Sequence, residues 1–175
     1  MRINCAGESG IVYRILIVDD EKIERTGLRL LLGKMDQKFE ITEAVNGKEA
    51  LEWLSCNRAD ILVTDIRMPF MDGLALTERI RQKYPSMKVL IFSGFDDFEY
   101  AQQAIKLNVT EYILKPVNVE ELSEILTRVR KNLDEEISQR RDAALLRESY
   151  QKSLPILRAV FLNDLMRGTA DAGMI

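Results

Sequence analysis

The alternation of short apolar runs with helical stretches constrains this chain more than any other feature of its sequence. The apolar, β-branched runs occupy residues 13–18, 40–45, 61–64, 88–92 and 111–114, and the helical stretches occupy 22–32, 47–55, 74–83 and 98–107. Short runs that are apolar almost throughout are typical of strands buried on both faces. Strands that alternate with helices predict a parallel sheet covered on both sides. We therefore predict an α/β fold of the doubly wound (βα)5 type.

Residues that favour turns and helix starts stand between these segments. Asn46 and Asp72 are each followed by Gly, directly before a helical stretch. Asp96 followed by Glu99 has the spacing of a capping box, with Asp in place of the usual Ser or Thr. Helices are therefore predicted to begin close to these residues.

A long polar-rich helix is predicted from residue 119 onward and past residue 137. Its apolar residues follow at alternating spacings of four and three, and they are Leu122, Leu126, Val129 and Leu133. Two interpretations stay open, the seam of a short coiled coil or a fifth helix that covers the sheet, and the second suits 122–129 better. Pro155 interrupts a further apolar stretch, so residues 156–166 predict another short amphipathic helix.

The residue composition excludes several classes of function. Lys and Arg number 25 against 28 Asp and Glu, and the formal net charge of −3 lacks the basic surplus that contacts to a nucleic-acid backbone require. The chain contains no histidine, which excludes Ser-His-Asp and Cys-His catalysis and removes the commonest general base. Chemistry must therefore use carboxylates, lysine, hydroxyls or a hard cation.

Cysteine usage and apolar patterning predict a cytoplasmic protein that does not enter a membrane. Cys5 and Cys56 lie far apart without neighbouring ligand residues, so neither a disulfide framework nor a zinc site is indicated. No apolar run approaches the roughly 18 residues of a membrane span. The first residues also lack the apolar core of a signal peptide. A reducing cytoplasm is therefore the expected location.

Acidic residues follow the first and third predicted strands. In a flavodoxin-like sheet with strand order 2-1-3-4-5, ligands collect outside the carboxyl ends of strands 1 and 3, where the winding reverses. Asp19 and Asp20 follow the first strand, and Asp65 follows the third. Desolvated carboxylates repel one another, so such a cluster needs a cation. A hard divalent ion such as Mg²⁺, held by one or two carboxylates and waters, is therefore predicted at this edge of the sheet.

A hydroxyl and a lysine stand at the ends of the fourth and fifth strands. Ser93 and Lys115 supply the donor and the point charge that phosphoryl oxygens require. Taken singly, each acid could be a solvated loop residue or a helix cap, and Ser93 before Gly94 could equally be a turn residue. Lys115 is harder to explain in that way, because a lysine that ends an apolar strand must reach water or acids. The convergence of four strand ends favours a phosphoryl site.

Four motifs in register resemble one known family. They are residues 15–21 (ILIVDDE), 65–69 (DIRMP) with 71–74 (MDGL), 92–94 (FSG) and 112–117 (YILKPV). Their order, spacing and chemistry resemble the receiver domain of two-component response regulators over about residues 13–133. Agreement of four motifs is far more specific than any one of them.

The resemblance assigns site roles to residues of all four motifs. It implies phosphorylation of Asp65, a Mg²⁺ ion held by Asp19, Asp20, Asp65 and the backbone carbonyl of Arg67, a phosphate contact from Lys115, and switch roles for Ser93 and Tyr112. It also implies a cis peptide bond before Pro116. From the strand pattern alone, Tyr112 is a core or half-buried aromatic residue.

The finer pattern resembles one subgroup of these regulators and implies a division of the chain. Segments 65–69 and 93–100 resemble regulators that carry an AraC-type DNA-binding domain after the receiver. Residues 1–12 are then a leader, an expression tag or a misassigned start, 13–133 the receiver domain, and 134–175 a helical connector. The connector leads toward an output domain that this chain lacks, and DNA would be bound through that domain alone.

The function implied by the resemblance is that of a phosphoacceptor. A sensor histidine kinase would transfer a phosphoryl group to Asp65, and the conformational switch would control transcription. Such a receiver assists its own phosphorylation and dephosphorylation, and it forms a homodimer on phosphorylation through its fourth helix, fifth strand and fifth helix.

Two other functions remain as alternatives. A phosphorylation-independent docking module would show the loss of a key acid or of Lys115, and none of them is missing. An aspartate-nucleophile phosphatase typically has a second acid two residues after the nucleophile, where this chain has Arg67.

Overall fold

The computed structural model describes residues 11–94 and 98–171, in which five strands alternate with five helices. The elements are β1 Tyr13–Val18, α1 Lys22–Gly33, β2 Phe39–Ala44, α2 Gly47–Cys56, β3 Ile61–Asp65, α3 Gly73–Lys83, β4 Lys88–Ser93, α4 Phe98–Lys106, β5 Glu111–Leu114 and α5 Val119–Asp171. Most of the predicted leader and the predicted capping residue Asp96 lie outside the described residues.

The five strands form one parallel sheet in the order β2-β1-β3-β4-β5. This arrangement confirms the predicted doubly wound, flavodoxin-like fold. Val18 pairs with Thr64, and Ser93 pairs with Leu114. The residues that follow these strands therefore leave the sheet at one edge, the edge where ligands collect in sheets of this kind.

Side chains alternate between the two faces of each strand, and both faces are buried. On one face, Leu16, Leu62 and Ile91 pack in a single cluster with buried residues of α2, α3 and α4. The strand residues of alternate register are buried as well, together with residues of α1 and α5; they include Ile15, Ile17, Ile61, Leu90, Leu32, Leu122 and Leu126. Helices therefore cover both sides, as the near-continuous apolar strands predicted.

Short polar residues fix the start of three helices. Asn46 accepts a hydrogen bond from the N–H of Glu49 at 2.9 Å, and Asp72 accepts one from the N–H of Ala75 at 2.7 Å. Asn118 does the same for α5. Each side chain satisfies an N–H group that has no partner inside its helix.

The α5 helix differs from the prediction at Pro155. It continues through this residue to Asp171, so the expected separate helix at 156–166 is wrong. A proline removes one backbone hydrogen bond and crowds the preceding turn, but a helix can bend at it and continue.

The chain divides after Val129 into two compact units. In the second unit, Arg130, Lys131 and Lys152 form ion pairs with acids one helical turn away. Such pairs support a helix with few apolar contacts. None of the helices in the described part of the chain combines the length and apolarity that crossing a bilayer requires.

Candidate functional site

Three of the predicted site residues meet at the carboxyl edge of the sheet. Asp65 ends β3, Asp19 follows β1, and Lys115 follows β5. The Nζ atom of Lys115 lies 3.1 Å from Oδ2 of Asp19 and 3.1 Å from Oδ1 of Asp65. One ammonium group therefore bridges two acids that are 46 residues apart in sequence.

Backbone N–H groups hold the second oxygen of each of these carboxylates. The N–H of Arg67 donates to Oδ2 of Asp65 at 2.9 Å, and the N–H of Glu21 donates to Oδ1 of Asp19 at 2.8 Å. Both donors lie two residues after the acid that they bind. The backbone of the loops after β1 and β3 therefore helps to orient both acids.

Gly73 permits the close packing of the loop that carries Asp65. Its N–H donates to the carbonyl of Ile66 at 2.9 Å. A Cβ atom at this position would lie 2.0 Å from the backbone carbonyl oxygen of Asp65. Thr64 donates its hydroxyl to the same carbonyl at 2.9 Å. The sequence marked Gly73 as a turn residue, but this role depends on a contact that spacing does not predict.

Burial and charge act together on the acids and the lysine. Burial raises the pKa of Asp65 above its usual range against the opposing Lys115 ammonium, and the charge of Asp19 adds to the rise. Burial alone would lower the pKa of Lys115, but Asp65 and Asp19 together raise it above its usual range. Lys115 therefore stays protonated, and the two mostly buried carboxylates of Asp19 and Asp65 both contact its single charge.

Two residues of α1 belong to this environment and were missed by the sequence reasoning. Oε2 of Glu24 lies 3.5 Å from Nζ of Lys115. The buried Arg25 donates from its guanidinium to the backbone carbonyl of Asp19 at 2.7 Å, and its Nε lies 3.3 Å from Oε2 of Glu43. The position of both residues in the first turn of the helix after β1 was the signal that could have identified them.

Asp20 and the side chain of Arg67 lie on the rim of the site. Asp20 is exposed and lines a groove with residues of α3 and α4. The guanidinium of Arg67 lies 5.6 Å from the centre of the Tyr100 ring in α4, a cation–π distance. Within residues 11–94 and 98–171, no three Cys, Asp or Glu side chains are grouped closely enough to hold a metal ion. The structure thus brings Asp19 and Asp65 together but leaves Asp20 outside their cluster.

Ser93 and Tyr112 lie on the two strands beside the acids. Ser93 is buried at the end of β4, and its backbone carbonyl accepts a hydrogen bond from the N–H of Lys115 at 2.8 Å. Tyr112 is half-buried and packs against the cluster shared with α2, α3 and α4. The peptide bond between Lys115 and Pro116 is cis. The switch roles of Ser93 and Tyr112 stay predictions.

The oxygen donors at this edge fit a hard divalent cation. Mg²⁺ retains several waters and binds one or two carboxylates, so it does not need three converging acids. Asp19 and Asp65 supply two carboxylates that face the same point. The N–H of Arg67 binds Asp65, so the backbone carbonyl of Arg67 lies in the same loop as this acid and is a further candidate ligand.

This chain matches one protein family and is similar to parts of longer curated proteins. A family model described as the response regulator receiver domain matches residues 15–127. The transcriptional regulatory protein YesN of Bacillus subtilis is 31% identical over 160 residues, which are 91% of this chain and 44% of YesN. The transcriptional regulatory protein HptR of Staphylococcus aureus is 35% identical over 147 residues, 83% of this chain and 58% of HptR. This chain therefore spans about half the length of these curated relatives.

Solved structures with the same fold include two receiver domains. The REC domain of AraT, a response regulator from Geobacillus stearothermophilus, superposes with a TM-score of 0.65 at 39% identity, over 72% of this chain and 98% of that domain. A CheY-like response regulator receiver domain protein from Methanospirillum hungatei gives a TM-score of 0.64 at 27% identity, over 74% of this chain and 99% of that protein.

Proposed function

Because this chain belongs to the response regulator receiver domain family, we propose that it accepts a phosphoryl group from a sensor histidine kinase on the carboxylate of Asp65. Receiver domains of this family are signalling domains of two-component systems, and the relatives named above are transcriptional regulators. The observation that carries the proposal is the bridge from Lys115 to Asp65 and Asp19 at the carboxyl edge of the sheet.

The proposed transfer forms one bond and breaks one bond. An oxygen of Asp65 attacks phosphorus of the kinase phosphohistidine, the new O–P bond forms, and the P–N bond breaks with its electron pair left on the imidazole nitrogen. This chain has no histidine, so the donor imidazole belongs to another protein. Lys115 would neutralise charge on the transferring oxygens, and its contact with the carboxylate of Asp65 supports this role.

Asp19, Asp65, the backbone carbonyl of Arg67 and, from the rim, Asp20 would hold the Mg²⁺ ion that receiver domains generally bind. Bound Mg²⁺ would supply positive charge to the oxygens of the transferring group. Asp19 is prepared for this role because one of its oxygens is fixed by the N–H of Glu21. Arg25 supports the same loop by binding the backbone carbonyl of Asp19.

The proposed switch begins with the new charge on Asp65. A phosphorylated aspartate carries nearly two negative charges and several acceptor oxygens, which would draw the hydroxyl of Ser93 toward it. Tyr112 would turn into the space that Ser93 vacates and repack the face made by α4, β5 and the first turns of α5. To shift the two states from a ratio of 1:99 to 99:1, the phosphoryl group must stabilise the active state over the inactive state by about 5.5 kcal/mol.

A homodimer is the proposed product of this switch. Ile105 of α4 and Leu114 of β5 are large apolar residues that remain exposed on two of the elements concerned. Exposed apolar surface of this kind is typical of protein interfaces. Control of transcription would follow through an AraC-type DNA-binding domain joined by a connector at 134–175, and the cytoplasmic location also stays a prediction.

Two alternatives fit the site less well. A docking module that does not use phosphorylation has no need for a lysine that contacts two acids. Lys115 nevertheless contacts both Asp19 and Asp65. A phosphatase of this kind typically has a second acid two residues after the nucleophile, but residue 67 is an arginine whose guanidinium lies 5.6 Å from the centre of the Tyr100 ring. A turnover assay on phosphate monoesters separates this enzyme from a phosphoacceptor.

The experiment that tests the proposal measures incorporation of phosphate from acetyl phosphate in the presence of Mg²⁺. Asp65→Asn should abolish incorporation. Asp60→Asn is the matched control, because Asp60 lies just before the opposite end of the same strand and accepts a hydrogen bond that an amide also accepts. Undiminished incorporation in Asp65→Asn would mean that another residue is the acceptor.

A further inference from the structure

Glu24 occupies a position that the acceptor chemistry does not require. It lies in the first turn of α1, and its Oε2 atom is 3.5 Å from Nζ of Lys115. Lys115 therefore contacts three carboxylates, those of Asp19, Asp65 and Glu24. About half of the Glu24 side chain is exposed, whereas Asp19 and Asp65 are mostly buried.

The geometry limits how Lys115 can reach a phosphoryl group. An ammonium group has three donors, and three carboxylates surround this one. A phosphoryl group on Asp65 requires at least one of these donors. The longest of the three contacts, and the one made to the most exposed acid, is the contact with Glu24. That contact is the easiest one to exchange for a phosphoryl oxygen.

We propose that Glu24 competes with the phosphoryl group for the ammonium of Lys115 and thereby slows phosphorylation of Asp65. Glu24 is a positioning residue, because it acts through Lys115 and does not touch the acceptor. The proposal rests on the function proposed for Asp65. The competition is modest in size, since partly exposed ion pairs at such distances alter equilibria by about twofold to fivefold.

The test compares two substitutions that each remove one negative charge, at Glu24 in the first turn of α1 and at Glu21 just before this helix. Glu24→Gln removes the carboxylate beside Lys115, and Glu21→Gln removes one that forms no ion pair in the described part of the chain. The full chain is phosphorylated with acetyl phosphate at saturating Mg²⁺. Asp65 attacks phosphorus, and acetate leaves with the electron pair of the broken P–O bond. Glu24→Gln should raise the initial rate about twofold to fivefold over Glu21→Gln.

A second measurement separates competition from structural damage. The beryllium trifluoride anion binds a carboxylate oxygen much as a phosphoryl group would, and calorimetry measures its affinity in the presence of Mg²⁺. Competition predicts that Glu24→Gln and Glu24→Ala both bind it more tightly than the wild-type chain. Loss of a merely structural contact would weaken binding, so the sign of the change distinguishes the two explanations.

The outcomes also separate this inference from the function on which it rests. Equal rates for Glu24→Gln and the wild-type chain, or equal increases in both Gln variants, would overturn the role of Glu24. Phosphate incorporation that survives in Asp65→Asn would instead overturn the proposed acceptor. Loss of incorporation in Asp65→Asn together with no effect at Glu24 would reject the inference alone.

Discussion

Individual residues of this site depend on partners from other elements. Arg25 of α1 joins the backbone carbonyl of Asp19 to the carboxylate of Glu43 in β2, and Arg29 also donates to Glu43 at 2.8 Å. Asp65 depends in the same way on the absence of a side chain at Gly73. Residues of α1, β2 and α3 therefore help to position Asp19 and Asp65.

Removal of the Glu43 charge should make the free energy of unfolding less dependent on pH. The two arginines hold the pKa of Glu43 below its ordinary value of 4.5, chiefly through the hydrogen bond from Arg29. A depressed pKa stabilises the fold above the unfolded-state pKa, and this contribution disappears as the pH falls through the folded-state pKa. Glu43→Gln should therefore lower the free energy of unfolding at neutral pH, with a difference that vanishes in acid. Urea unfolding at several pH values measures the difference in stability between the wild-type chain and Glu43→Gln. A difference that stays constant at every pH would contradict the prediction. Glu40→Gln, a substitution in the same strand, is the control.

A methyl group at residue 73 should disturb the loop that carries Asp65. Its Cβ would lie 2.0 Å from the Asp65 carbonyl, which is backbone and cannot rotate away. Gly73→Ala should lower stability by about 1–3 kcal/mol, the usual cost of overpacking. Gly27→Ala, in a helix with nothing within 4 Å of the added atom, should be stabilising by up to about 1 kcal/mol. Equal unfolding midpoints for the two variants would show that the loop adjusts freely.

At the level of elements, Arg81 connects α3 to the segment that follows α4 through hydrogen bonds. Its guanidinium donates to the backbone carbonyls of Leu107, Met87 and Asn108, the last at 2.7 Å. Asn108 has a positive φ of 53°, the left-handed conformation that often ends a helix. One side chain thus satisfies carbonyls of two connecting segments.

Arg81→Ala should loosen this end of α4. Loss of several hydrogen bonds to partly buried carbonyls should cost about 1–3 kcal/mol of stability. Amide hydrogen exchange should become faster at the N–H groups of Leu107 to Thr110 while the central strands keep their protection. The same exchange pattern in Arg79→Ala, an exposed arginine of the same helix, would show that the effect is not specific to Arg81.

Element boundaries were predicted well where local pattern decides them. β1 and β5 have the predicted bounds, and other strands and helices differ by about one residue at an end. Alternating apolar runs allowed this because burial on both faces of a sheet selects such runs. Pro155 misled the prediction, since a proline weakens a helix without always ending it. Glu24, Arg25 and Gly73 were not predicted as site residues, because their roles depend on contacts between distant segments.

At the scale of the whole molecule, the proposed switch predicts a change in assembly. Phosphorylation, or beryllium trifluoride with Mg²⁺, should raise the apparent mass in sedimentation to that of a dimer. Ile105→Glu should prevent this increase by placing a charge in the apolar surface of α4. Ile11→Glu is the control, since Ile11 is also an exposed apolar residue but precedes β1, at the edge of the sheet opposite the acids. A mass that stays monomeric at high protein concentration would reject dimerisation as the output.

The most direct test of the acceptor role is to locate the phosphoryl group chemically. Borohydride reduces an aspartyl phosphate to homoserine, and mass spectrometry of the digested chain identifies the reduced position. After treatment with acetyl phosphate and Mg²⁺, we expect homoserine in place of Asp65 and unchanged aspartate at positions 19, 20 and 60. Homoserine at any of those positions, or none at residue 65, would contradict the account.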